Sequence, residues 1–179
     1  MVITLKNIAL NEIKGDLLSS KVSVRNFPKS VSFPFDPFYI EIVTHIKTIE
    51  ISSECILFDS VRSFNETKEF AYANYWSENA KETIEKFWFF AQNGQGDYWL
   101  FDDKHKVYFY DHNHEEVSIQ NFMYLGLNFE KWLQFAYLNK QFDQYYDAEE
   151  EISEEIKTEY KNKLREISIS LLDNYPFEI

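Results

Sequence analysis

The chain has 179 residues, 45% hydrophobic and 18% aromatic, enough for one domain over 1–179 with a substantial buried core, so general disorder is excluded. Its 30 acidic and 18 basic residues leave a net charge of −12, which disfavours direct binding to nucleic acid or a membrane and favours a basic protein partner. The single Cys55 forbids an internal disulfide, no apolar run nears the ~20 residues that cross a bilayer, and the start Met1-Val2-Ile3-Thr4-Leu5-Lys6 lacks a signal-peptide pattern; the expected location is cytoplasmic.

In chain order, Val2 to Leu5 suits a short strand, while Leu5, Ile8, Ala9 and Ile13 suit a helical face ended by Gly15-Asp16. A short helix followed by a strand over Lys21–Arg25 is the preferred reading. Pro28, Pro34 and Pro37 confine the next segment to extended or turn backbone. From Phe38 the pattern through Tyr39 and Ile42 suits a helix, and the alternation Tyr39, Glu41, Val43, His45, Lys47, Ile49 suits a strand running to Ile51.

Glu54 to Phe58 reads as a strand, with Cys55 and Leu57 on one face and Ile56 and Phe58 on the other. Ser63-x-x-Glu66 forms a capping box, which predicts a helix from Asn65 to about Tyr75 with Phe70, Ala73 and Trp76 on its apolar side. Ile84, Phe87 and Trp88 at helical spacing predict a second helix over Ala80–Phe87. Three of the four glycines lie between Phe87 and Trp132, two of them in Gly94-Gln95-Gly96-Asp97, a turn that needs positive φ. Strands are predicted at Tyr98–Phe101 and Lys106–Tyr110, then an acidic loop from Asp111 to Glu116, then a helix over Ile119–Phe135.

Between Asp143 and Glu159 eight acids stand against the single base Lys157. Ile152, Ile156, Tyr160, Leu164, Ile167 and Leu171 recur every three or four residues, which predicts an amphipathic helix of about 20 residues in segment 143–173. Acids fill its first turns and Lys161, Lys163 and Arg165 follow, as the helix dipole prefers. Its apolar stripe must dock on the domain or on another chain.

No catalytic constellation rises above chance, so the protein is read as a non-enzyme that needs no cofactor and no metal. A dinucleotide fingerprint requires a strand, three spaced glycines and a helix, whereas here the order reads helix, glycines, strand. His112 and His114, with Glu116, would share a face of an extended segment, but neither His45 nor His105 is placed beside them by sequence. Cys55 in a strand is an inert buried thiol, and the aromatics from Phe87 to Tyr110 are core rather than a nucleic-acid platform, which would need basic surroundings.

The ordered set of Gly94-x-Gly96-Asp97-Tyr98, Asp102 just after the strand, Val107-Tyr108-Phe109-Tyr110 ending in Asp111-His112, and a Trp132-Leu133 helix resembles the core of the SUKH superfamily. That group joins fungal cell-wall-synthesis regulators to bacterial immunity proteins of toxin systems. The likeness runs from about Cys55 to Phe135; the Asn-Gly that usually follows the family's Leu-Pro-x-x-Tyr opening is missing after Phe33-Pro34. The combined expectation is an α+β domain with one mainly antiparallel sheet of four to six strands, packed helices and a C-terminal amphipathic helix. The resemblance implies a bacterial immunity protein that blocks a cognate toxin, such as a nuclease, by occlusion; the alternative is a scaffold whose acidic tail from Asp143 recruits partners. Position in the matching core nominates Asp97, Tyr98, Trp99, Asp102, Asp103, Asp111 and Glu115 as the partner contact, with the 143–159 acid run next in line.

Overall fold

Strand order in the sheet repeats strand order in the chain. In a computed structural model that describes residues 4–20, 22–78, 80–148 and 151–179 (Ala73 by its backbone alone), six strands form one antiparallel meander: β1 Ile49–Ser52, β2 Cys55–Leu57, β3 Phe87–Gln92, β4 Tyr98–Asp102, β5 Val107–Tyr110 and β6 Met123–Leu127. The helices are α1 Leu10–Leu17, α2 Pro37–Val43, α3 Ser60–Phe70, α4 Lys81–Ile84, α5 Phe129–Ala148, α6 Glu154–Ile167 and α7 Ile169–Asp173. The α+β class and the single antiparallel sheet are as the sequence indicates. No described helix is long and apolar enough to cross a membrane.

The sheet is covered on both sides, and this decides where sequence patterns mislead. Trp88, Phe90, Trp99, Phe101 and Phe109 pack with α5 residues such as Trp132 and Phe135 in the main core. Phe87, Phe89, Leu100 and Tyr110 point the other way, into a second core with Trp76, Ile84 and Phe122. Five consecutive residues of β3, Phe87 to Ala91, are therefore all buried. A strand buried on both faces loses the alternation that marks a strand in sequence. That is why Phe87 and Trp88 read as the end of a helix: α4 stops at Ile84, and the expected order of helix, glycines, strand is corrected to strand, turn, strand.

Four further expectations change. The helix expected from Asn65 starts at Ser60, because Asp59 is its cap and accepts from the amides of Val61 and Arg62 at 3.0 and 2.9 Å. Ser63, read as the cap, lies inside α3 and is fully buried. The helix expected from Ile119 starts at Phe129, since Met123–Leu127 is the sixth strand. Asn128 supplies the start signal, its Oδ1 accepting from the Lys131 amide at 2.9 Å. The strand expected over 21–25 is absent from 22–25, where Val22 and Val24 donate single bonds to His45 O and Thr44 O, and Lys21 lies outside the described residues. The strand alternative from Tyr39 gives way to α2, which starts at Pro37 with Asp36 as its cap, and only Ile49–Ser52 is extended. Of the Val2–Leu5 reading, residues 2 and 3 lie outside the described residues, and Thr4 and Leu5 form no strand.

The C-terminal stripe docks on its own domain. Tyr160, Leu164, Ile167 and Leu171 are buried in the main core. The predicted single helix is two, parted at Ser168, whose backbone is extended (φ −162°, ψ 133°). Ser168 Oγ reaches β6 there and donates to Leu125 O at 3.3 Å.

Candidate functional site

One end of the sheet gathers the β1–β2 turn (Ser53, Glu54), the β3–β4 turn (Gly94–Gly96) and the exit of β5 (Asp111, His112). The β3–β4 turn is closed by Asn93, whose Oδ1 accepts from the amides of Gln95 and Asp97 at 3.0 and 2.9 Å. Gly96 takes φ 95°, the left-handed conformation expected of this turn. The Asn93 amide then bridges two acids, donating to Asp97 Oδ2 at 2.9 Å and to Glu54 Oε2 at 3.1 Å. Asp97 Oδ1 accepts from the His112 amide at 3.1 Å and stands 2.6 Å from His112 Nδ1. A polar chain thus runs from Glu54 through Asn93 and Asp97 to His112.

Asp97, Asp111 and His112 each offer one potential metal-ligand atom, all within 4.8 Å of one another. The close Asp97–His112 contact has hydrogen-bond length, which a proton satisfies. His114 turns away and stacks on Tyr110, while His105 sits in the β4–β5 turn at the far end of β5, its Nε2 2.6 Å from Pro34 O. Two amide donors from Asn113 hold the Asp111 carboxyl below its ordinary value.

The seven nominated residues do not form one patch. Asp97, Asp111 and Glu115 lie at the end just described. Asp102 and Asp103 lie at the opposite end, roughly 17 Å away at ~3.4 Å per residue. Asp102 there organises the β4–β5 turn, accepting from the amides of Lys104 and Lys106, both at 2.9 Å, and from the Tyr108 hydroxyl at 3.1 Å. Trp99 is wholly buried, its Nε1 donating to Glu54 O at 2.8 Å, so it anchors core and not partner. Asp97 is 6% exposed and is spent on the turn. Tyr98 is half-buried on the other face of the sheet, where its hydroxyl donates to Glu66 at 3.2 Å. Asp111 is half-buried, and Glu115 is exposed.

Sequence reasoning missed the feature beside this end: a groove of about 770 Å³ between the β1–β2 hairpin, the C-terminal half of α5 and segment 175–178. Its acids are Glu50, Glu54, Asp143, Asp147 and Glu178, and Lys140 is the one base among its lining residues. Asp143 is tied to the β1–β2 turn, accepting from Ser53 N at 2.8 Å and Ser53 Oγ at 3.0 Å. Glu50, Asp147 and Glu178 are exposed and have no ion-pair partner among the described residues. The last turn of α5 holds no basic residue, so Asp147 adds to the negative end of the helix dipole instead of offsetting it. Ser52 and Asn139, 4% and 3% exposed, also line the groove, and Ser52 Oγ and Asn139 Nδ2 have no hydrogen-bond partner among the described residues. Burial raises the Glu54 carboxyl above its ordinary value, with the Asp143 and Asp97 carboxylates adding to the rise and the Asn93 amide opposing it.

The groove was partly signalled in the chain: Asp143 and Asp147 are four apart, hence on one helix face, and Glu50 and Glu54 flank a turn. Nothing in the sequence brings these pairs together. Glu149 and Glu150 of the acid run lie outside the described residues. Comparison of the chain with protein-family models, with curated proteins and with solved structures gives no match.

Proposed function

We propose that this chain is a binding protein that neutralises a basic toxin domain by occlusion, as do the SUKH immunity proteins it resembles, and that the acidic groove is its main contact. The observation that carries this is the concentration of unpaired carboxylates, Glu50, Asp147 and Glu178, around one concave surface. Such a surface focuses negative potential, accelerates encounter with a cationic partner, and mimics the charge of a phosphate backbone. A nuclease domain is commonly basic where it holds phosphate. The helix dipole left uncompensated at the end of α5 supports the same reading, because it breaks a local stability rule in the direction that favours a cation.

The scaffold alternative rests on an acidic tail from Asp143 that recruits partners. Asp143 and Asp147 belong to α5, and the stripe that follows is buried in the core, which supports the groove reading over a recruiting tail.

The test is co-expression with the product of the adjacent gene, with pull-down and a growth assay, for the wild type and for Glu50→Lys/Asp147→Lys. Both positions are exposed, so circular dichroism and thermal melting should be unchanged. Loss of capture and of rescue in the double variant is the expected result. Rescue that survives the reversal would move the contact off the groove, and absence of rescue by the wild type would end the immunity reading for that neighbour.

A further inference from the structure

A second concavity, about 290 Å³, opens on the α3 side of the same sheet end, beneath Glu115. Its walls are rings. Tyr98 and Tyr110 are paired residues of neighbouring strands and so share a sheet face. Phe70 of α3 stands nearly perpendicular to both, its centroid 4.8 Å from Tyr98 at 75° and 6.5 Å from Tyr110 at 86°. Tyr75, half exposed in the 3-10 turn Ala73–Tyr75, closes a further side.

The rim is anionic. Glu66 is engaged, taking the Tyr98 hydroxyl and facing Arg62 Nε at 3.5 Å. Arg62 is itself drawn away, over the Phe58 ring and to Gln92 Oε1 at 3.0 Å. Glu69 and Glu115 are exposed, and neither has an ion-pair partner among the described residues. Among the described residues no lysine or arginine lines the cavity. Aromatic faces with carboxylates at their edge are the environment that attracts an organic cation, through the ring quadrupole and a charge-assisted hydrogen bond together.

We propose that this cleft receives an arginine side chain of the protein partner, its guanidinium lying against the tyrosine rings and forking to Glu69 and Glu115. The inference rests on the reading of the chain as a binder of a basic protein, and it adds a specific anchor beside the diffuse charge of the groove. Arginine suits the cleft better than lysine because a flat, weakly hydrated guanidinium stacks on rings while keeping its edge for carboxylates. Half-buried rings at an accessible surface are favoured anchors for such contacts.

The experiment titrates the full chain with N-acetyl-arginine-N′-methylamide and with the citrulline analogue, equal in shape but uncharged, following backbone amide shifts of Tyr75, Tyr98, Tyr110 and Glu115. About tenfold tighter binding of the arginine compound is expected, the difference shrinking to near unity in Glu69→Gln/Glu115→Gln and in Tyr75→Ala. Tyr75 is half exposed and its carbonyl still accepts from Val117 N, so the alanine variant keeps the fold. Equal affinity for arginine and citrulline would overturn the proposal even if the toxin is captured. Discrimination without any toxin capture would leave the cleft standing and overturn the immunity reading.

Discussion

Ser168 stands directly over Gly126: a Cβ placed on the glycine would clash with the serine Oγ and lie 2.9 Å from Ser170 Cβ. Gly126 also holds φ 70°, in the left-handed region. The start of α7 can therefore sit on β6 only because residue 126 lacks a side chain. Gly126→Ala should cost about 2 kcal/mol or more, from overpacking and left-handed strain together. Gly15→Ala is the opposite case, since nothing lies within 4 Å of its added carbon and it sits inside α1. A gain of about 0.5–1 kcal/mol is expected there. Urea denaturation at constant slope measures both, and an unchanged midpoint for Gly126→Ala would show that the α7–β6 contact yields freely.

Ser63 is the polar hub of the core. Its Oγ donates to Phe89 O at 3.1 Å and accepts from Tyr39 OH at 2.8 Å and from Trp88 Nε1. These three bonds exhaust the hydroxyl. Ser63→Ala would strand two buried donors from α2 and β3, at a cost of about 1–3 kcal/mol. Ser63→Thr tests whether space or bonding matters, because it keeps the hydroxyl. If alanine is as stable as wild type in denaturant, the hub is not needed.

The Glu54 carboxyl has a raised folded-state pKa, so the folded protein holds this proton more tightly than the unfolded chain does. Below the ordinary value of 4.5 both states are protonated and the group is neutral in stability; as pH climbs from there through the raised value, the folded state loses stability. Glu54→Gln keeps an acceptor for Asn93 and removes the charge. It should be more stable than wild type at neutral pH, with the difference closing as pH is brought below the ordinary carboxylate value. A pH series of chemical melts reads this, and a difference that is constant with pH would assign it to some other cause.

Cys55 is wholly buried, and that burial pushes its thiol well above the ordinary value, with the Glu54 and Asp143 carboxylates raising it further. The native protein should not react with Ellman's reagent at pH 8, and one equivalent should react on unfolding. Fast native reaction would mean that the β2 edge of the core opens readily.

Much of the fold is legible in residue order. Tyr98–Phe101 and Val107–Tyr110 lie between strong turn signals, and the Ile152–Leu171 stripe has an unmistakable helical period. The errors share a physical origin. Phe87–Ala91 faces two cores, so it shows no alternation, and Met123–Leu127 abuts α5 so closely that the two merged into one helical reading. Ser63 and Glu66 match a capping box by residue type, yet the cap is Asp59, because burial of the Ser63 hydroxyl between α2 and β3 decides the phase of the helix. Of the nominated contact residues, Glu115 lies open at the cleft and Tyr98 half-buried in its wall, whereas Trp99 and Asp97 are committed to the interior and the turn.

The sequence by itself determined the α+β class, the acidity and the turn at Gly96, because composition and local backbone chemistry are properties of neighbours in the chain. Only the tertiary structure decided that Glu50, Asp147 and Glu178 line one groove and that Phe70, Tyr75, Tyr98 and Tyr110 enclose one cleft. Those groupings arise because α5 covers one face of the sheet while Phe70 of α3 packs on the other, and residues far apart in the chain carry no local signal of where that packing will set them.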